Sequence, residues 1–306
     1  MALSAQAKSD ATLVLVTVIA AISWIFSKEA VLGMPPILFM AVRFFLAALC
    51  LAVVSGRHLK QLTAPLLRRS VVVGLFFGIG MATWVVGLAS GDSMGEGAFI
   101  TSLGVVLVPV VARFGFAEIP PRTTWYALPV AAAGLALLAL ENGLVLSAPQ
   151  LYYIASACFI ACFFTLNTQA TNTNSTGTRK AVHPLALTTI VMCIATLVTA
   201  VASFAVERNS WATFSITPAL TGWVVASATI GTALRFLLQT YAQSLSTSTN
   251  GAVILVLEPI WVALFSAFWF SERLGGVQLL GCTFIFAALL INRWHVISQG
   301  IKKWMR

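Results

Sequence analysis

Along this chain apolar residues do not recur at the spacing of a single buried face. They run almost unbroken for about twenty residues at a time and then give way to short polar or charged intervals. Ten such runs are predicted as helices, over 11–32, 36–55, 69–90, 95–115, 122–141, 150–170, 183–205, 218–242, 247–269 and 275–293. Each approaches the ~20 residues that carry a helix across a hydrocarbon core about 30 Å thick. Inside a bilayer the backbone must satisfy its own hydrogen bonds, which a helix does within one segment. The intervals are short, as between antiparallel neighbours, and the longest is Thr171–His183, TNTNSTGTRKAVH. The pattern predicts an all-α membrane protein of ten transmembrane helices with no soluble domain left over.

The runs also repeat. Pro36 opens the second run and Pro184 the seventh, 148 positions on; Pro109 in the fourth precedes Pro259 in the ninth by 150. AISWIFSKEA at 21–30 is echoed by ACFFTLNTQA at 161–170. Two five-helix units are therefore expected, at 11–142 and 150–293, followed by a basic tail at 294–306. Because five is odd, the second unit enters the membrane inverted relative to the first. Inverted repeats of this kind place a substrate site near the bilayer midplane, between the units.

Composition agrees with a membrane reading: 59% of residues are hydrophobic and 9% charged, with mean hydropathy +0.94. It also changes the meaning of the net charge of +9. In a soluble chain such an excess suggests nucleic acid; here the basic residues cluster between apolar runs and set orientation. With the N-terminus inside, thirteen of the 18 Lys and Arg fall on the cytoplasmic side. Lys28, Arg208 and Arg273 fall outside, and Arg43 and Arg235 lie within the membrane. Both termini are thus expected in the cytoplasm, with the protein in a plasma (bacterial inner) membrane. The first apolar run is too long for a cleavable signal and lacks a small-residue cleavage site. The sequon Asn174-Ser175-Thr176 falls in a linker expected to be cytoplasmic.

No catalytic constellation is present. Walker, dinucleotide and zinc spacings are missing, and the three histidines sit in or beside loops with no Cys or Ser partner pattern. No enzyme activity, cofactor or metal is expected. Cys158 and Cys162 share a helix face, but without a His or carboxylate beside them they read as small packing residues, like Cys50, Cys193 and Cys282.

The informative residues are the polar ones inside the runs. A charge at the bilayer centre costs a few kcal/mol on insertion scales, and only Arg43, Arg235 and Glu258 are placed deep. Glu258 lies in the stretch Ser246–Arg273, next to Pro259, which removes a backbone donor. Functionally, one arginine would bind a substrate carboxylate, or a Glu–Arg pair would break during transport. Structurally, the three would pair or snorkel and hold helices together. Trp24, Ser27, Trp84, Asn167, Arg235, Gln239 and Trp261 are candidate substrate contacts, since rings and a few hydrogen-bonding groups suit an amphiphilic metabolite. Ser23 adjoins them. Trp125, Trp211, Trp223 and Trp294 read as interfacial belt residues. Gly74 and Gly78, continued by Gly87 and Gly91, read as close packing within the chain. Gly80, Gly231 and Gly251 are candidate bending points.

The run of Leu257-Glu258-Pro259, a further apolar turn, Ser271-Glu272-Arg273-Leu274 and Gln278-x-x-Gly281 resembles the EamA repeat of the drug/metabolite transporter superfamily. The first half departs from that pattern, because Val108 stands before Pro109 and Glu258 has no counterpart. The resemblance covers nearly the whole chain. It implies alternating access to a central cavity and export of small metabolites, with YddG-type exporters of neutral and aromatic amino acids the closest group. An arginine at the position of Arg43, and the Glu-Pro pair, are common in EamA-like sequences. That implies gating or structural roles for Arg43, Pro109, Glu258 and Pro259. The expected partners are a small-molecule substrate and the lipid bilayer, with no nucleic acid, and a monomer suffices. Other cargoes remain open: organic cations, which want an unpaired carboxylate, or nucleotide sugars, which want several basic groups. A membrane scaffold without transport is the remaining alternative.

Overall fold

The computed structural model describes residues 5–116, 122–140, 146–171, 181–212, 214–239, 257–292 and 294. Among them all regular elements are helical: α1 (Ala5–Gly33), α2 (Pro36–Leu59), α3 (Ala64–Ser90), α4 (Met94–Phe116), α5 (Arg122–Leu140), α6 (Ala148–Thr171) and α7 (Pro184–Val206). α8 (Pro218–Ala228) passes through a π-helical turn at Thr229–Leu234 and continues to Gln239. α9 (Glu258–Trp269) and α10 (Gly276–Asn292) complete the described elements. The sequon, Gly251, most of the Thr171–His183 linker and nearly all of the basic tail lie outside the described residues.

Prolines stand in the first or second position of six of these helices, α2, α3, α6, α7, α8 and α9. There the missing N–H has no intrahelical partner to lose. Pro65 also explains why α3 begins at Ala64, ahead of the predicted 69, so that Arg68 and Arg69 lie in its first turns. Seven of the described helices are long and apolar enough to cross a membrane by length and composition, namely α1 to α4 and α6 to α8. α10 is a shorter apolar helix.

The helices pair across the two halves of the sequence. α2 packs on α7, α5 on α10 and α4 on α9; α3 packs on α6 and α7 while α1 and α2 pack on α8; α4 packs on α6 while α1 packs on α9. Exchanging α1–α5 with α6–α10 maps the first three pairings onto themselves and interchanges the other six in pairs. The α3–α7 seam shows what permits it. A Cβ on Gly74 would stand 2.7 Å from Ile194 Cβ, and one on Gly78 3.1 Å from the Ala195 backbone, so glycine sets the approach. Gly74 and Gly78 thus act within the chain, as expected.

Two carboxylates from the second half cap helices of the first. Glu207, after α7, accepts from the Ile37 and Leu38 amides at the start of α2, each at 2.9 Å, and from Ser203 Oγ at 2.7 Å. Glu272, after α9, accepts from the Met94 amide at 2.9 Å and the Gly95 amide at 3.4 Å, at the start of α4. Both place negative charge against a helix N-terminus, where free N–H groups and the macrodipole favour it. At the other end of α2, His58 stacks on His183 with ring centroids 3.6 Å apart.

Candidate functional site

The interior polar groups form two neighbouring clusters. The first surrounds Arg43, which projects from α2 and is 4% exposed. Its Nε donates to Thr232 Oγ1 at 2.6 Å, Nη1 to Ser27 Oγ at 2.7 Å, and Nη2 to Ser23 Oγ at 2.8 Å and the Gly231 carbonyl at 3.4 Å. All four acceptors are uncharged. Hydroxyls and a carbonyl offset part of the desolvation of the guanidinium, and its fork geometry lets one side chain join α1, α2 and α8.

The π turn of α8 helps build this cradle. In a π turn the backbone bond skips one residue further than in an α-helix, which turns groups out of the regular ladder. Gly231 and Thr232 lie in that turn, and Thr232 Oγ1 donates to the Ser227 carbonyl at 3.0 Å, five residues back. A Cβ on Gly231 would collide with Ser23 Oγ. The predicted bending point is therefore also a place where only glycine admits α1.

The second cluster begins one residue beyond the π turn. Arg235 Nη2 donates to Glu258 Oε2 at 3.1 Å, and Trp24 Nε1 donates to Glu258 Oε1 at 3.2 Å. This joins α1, α8 and the first turn of α9. The Arg235 and Glu258 side chains are 23% and 22% exposed, so the pair borders open space rather than filling the core. Trp24 packs edge-on against Trp84 with centroids 4.7 Å apart, and Tyr153 lies 6.4 Å from Trp24. The Arg235 guanidinium lies 5.5 Å from the centre of the Phe236 ring. Arg235 Nε, and Trp261 Nε1 three residues along α9 from Glu258, are buried without a hydrogen-bond partner among the described residues.

The remaining candidates are placed less centrally. Ser27 is fully buried and its hydroxyl is committed to Arg43 and the Ser23 carbonyl, so it backs the cluster rather than facing open space. Trp84 is 5% exposed and supports Trp24. Gln239 is buried at the end of the described part of α8, and Asn167 is half-buried on α6. Pro109 lies within α4, and Pro259 is buried at the second position of α9. Glu258 occupies the first turn of α9 as described, with 246–256 outside the described residues.

One expectation needs correction. Cys50, Cys158 and Cys193 lie on the outer surface of the bundle rather than in its packing. Of the expected belt residues, Trp211 remains exposed while its Nε1 donates to Ser203 Oγ at 3.1 Å, and Trp223 packs against Phe26 and Trp269. Sequence reasoning missed a polar layer at the Glu207/Glu272 end. Lys28 Nζ donates to the Leu88 and Gly91 carbonyls at 2.9 and 2.6 Å, closing the C-terminus of α3, and Trp269 Nε1 donates to Glu29 Oε1 at 2.8 Å. Tyr153 was missed too; its ring fills the space over Gly97. Among the described residues no group of three or more His, Cys, Asp or Glu is arranged to hold a metal ion.

With this geometry in hand, comparison with known proteins gives the class. The profile of the EamA-like transporter family matches residues 7–140 and again 148–294. The chain belongs to this family, within the drug/metabolite transporters, and is a multi-pass membrane protein of the transporter class. No curated protein sequence gives a significant match. A solved crystal structure, described only as that of a protein, superposes with TM-score 0.61 at 15% identity, covering 94% of this chain and 97% of its own. That likeness concerns the fold.

Proposed function

We propose that this transporter crosses a plasma membrane ten times, as two inverted five-helix repeats with both termini in the cytoplasm. It exports small metabolites, neutral and aromatic amino acids first among them, by alternating access between the repeats. The observation that carries the reading is the Arg235–Glu258 pair. It is partly open, lies within the second family match, and is bonded to Trp24 of the first. An ion pair is expensive in a bilayer unless it faces a cavity or a partner. The exchange of packing partners between α1–α5 and α6–α10 supports the inverted arrangement. In this reading Trp24, Arg235, Gln239, Trp261 and Asn167 meet the substrate, while Trp84 and Ser27 back them.

Arg43, Pro109, Glu258 and Pro259 belong to gating, and the Glu207/Glu272 end is the outer one. The protein acts as a monomer on a small molecule within the lipid bilayer and binds no nucleic acid. Pairing of Glu258 with Arg235 weighs against organic cations, which would need that carboxylate free. Counterflow in liposomes tests the reading: unlabelled amino acids inside should accelerate entry of a labelled neutral amino acid. Acceleration by cationic dyes or nucleotide sugars but by no amino acid, in folded protein, would overturn it. Unchanged transport by Glu258→Gln with no dependence on a pH gradient would mean facilitated diffusion.

A further inference from the structure

We propose that the substrate enters as a zwitterion and exchanges with the internal ion pair, its carboxylate taking Arg235 and its ammonium taking Glu258. This rests on the transport reading above and adds which protein group meets which substrate charge. The two arginines are not equivalent. Arg43 has a hydroxyl or carbonyl acceptor on all three nitrogens and is nearly sealed. Arg235 bonds Glu258 through Nη2, while its Nε is buried with no partner among the described residues.

A carboxylate aligned with a guanidinium edge takes two parallel N–H bonds. Glu258 is instead divided, giving one oxygen to Arg235 and the other to Trp24. The resident pair therefore leaves the Nε–Nη2 edge of Arg235 half used. Trp261, one turn along α9 from Glu258 and on the same face, carries the second unpartnered donor. Two N–H donors unmet among the described residues, on Arg235 and one turn from the divided carboxylate, match an incoming acceptor with negative charge.

The charge balance then selects a zwitterion. The site already holds two guanidinium groups against the single carboxylate of Glu258. An added cation would increase the excess positive charge in a low-dielectric interior, where such interactions are strong. A simple anion would claim Arg235 and strand Glu258, and a buried charge that loses its partner is costly. A zwitterion leaves the total unchanged and gives both protein charges a new partner.

Four compounds with one ring test this in proteoliposomes of the full chain: phenylalanine, its amide, its N-acetyl derivative and phenethylamine. The amide and phenethylamine lack the carboxylate; the N-acetyl derivative lacks the ammonium. Wild-type protein should exchange phenylalanine at least about tenfold faster than the other three, a factor of ten being about 1.4 kcal/mol. Glu258→Gln should narrow the gap to N-acetylphenylalanine, and Arg235→Gln the gap to the amide. The wild-type comparison needs no variant to fold. Equal exchange of phenylalanine and either capped derivative would overturn the exchange mechanism and leave the amino-acid reading standing. No exchange of any of the four, nor of alanine, leucine or tryptophan tested alongside, by folded protein would overturn both.

Discussion

Arg43 shows how one side chain is fixed by groups far away in sequence. Its acceptors lie on α1 and on the π turn of α8, and none is a carboxylate. Removing it strands buried oxygens and leaves a cavity, each costing roughly 1–3 kcal/mol. Arg43→Ala should therefore lower stability by about 2–5 kcal/mol, read as a fall in melting temperature in detergent. Arg43→Lys should recover only part of that loss, because an ammonium cannot serve the fork of acceptors. A melting temperature unchanged in Arg43→Ala would show the cradle to be energetically idle. Thr232→Val keeps the shape but removes one acceptor, so a smaller loss of about 1–2 kcal/mol is expected.

At the scale of elements, small residues decide which helices touch. The α3–α7 seam closes only because Gly74 and Gly78 leave room for Ile194, Ala195 and Val198. Gly74→Leu should separate these helices at a cost of about 1–3 kcal/mol, the usual penalty for overpacking, seen as a lower melting temperature and broader elution. Gly56 has open space around it, so Gly56→Ala should leave the melting temperature unchanged or slightly raised, since alanine is the better helix former. A loss at Gly56 as large as at Gly74 would deny that close approach is the cause. The glycine spacing was legible in the sequence, because close packing leaves that mark. The π turn was not: TIGTAL carries no signal for an i→i+5 bond, and Arg43 bonds it from α2 while Ser23 of α1 lies against Gly231.

For the whole molecule, the two family matches meet along polar contacts at both ends. Glu207 and Glu272 hold one end; the His58–His183 stack joins α2 to α7 at the other. Burial, and then the neighbouring His58, hold the His183 imidazole below the ordinary histidine range. The folded form thus favours the neutral ring. This contribution is fully present above the unfolded value near pH 6.5 and is lost as pH falls from there through the lower folded value. The melting temperature should fall on acidification from about pH 7.5 to about pH 5.5, and His183→Gln should lack that part of the fall. An identical pH profile in the variant would remove the histidine pair from the account.

The sequence by itself determined the membrane class, the apolar helices, the family match in both halves and the three interior charges. Each is written in local composition or in repeats along one strand of chain. It did not determine which arginine meets Glu258. Arg43 and Arg235 both stood in apolar helices with no nearby acid, and either pairing satisfied the rule that a buried charge needs a partner. Tertiary structure decided it. Ser23, Ser27 and Thr232 saturate Arg43, and Trp24 holds Glu258 within reach of Arg235. Such a choice depends on the rotation and depth of helices far apart in sequence, which packing fixes and local pattern does not record.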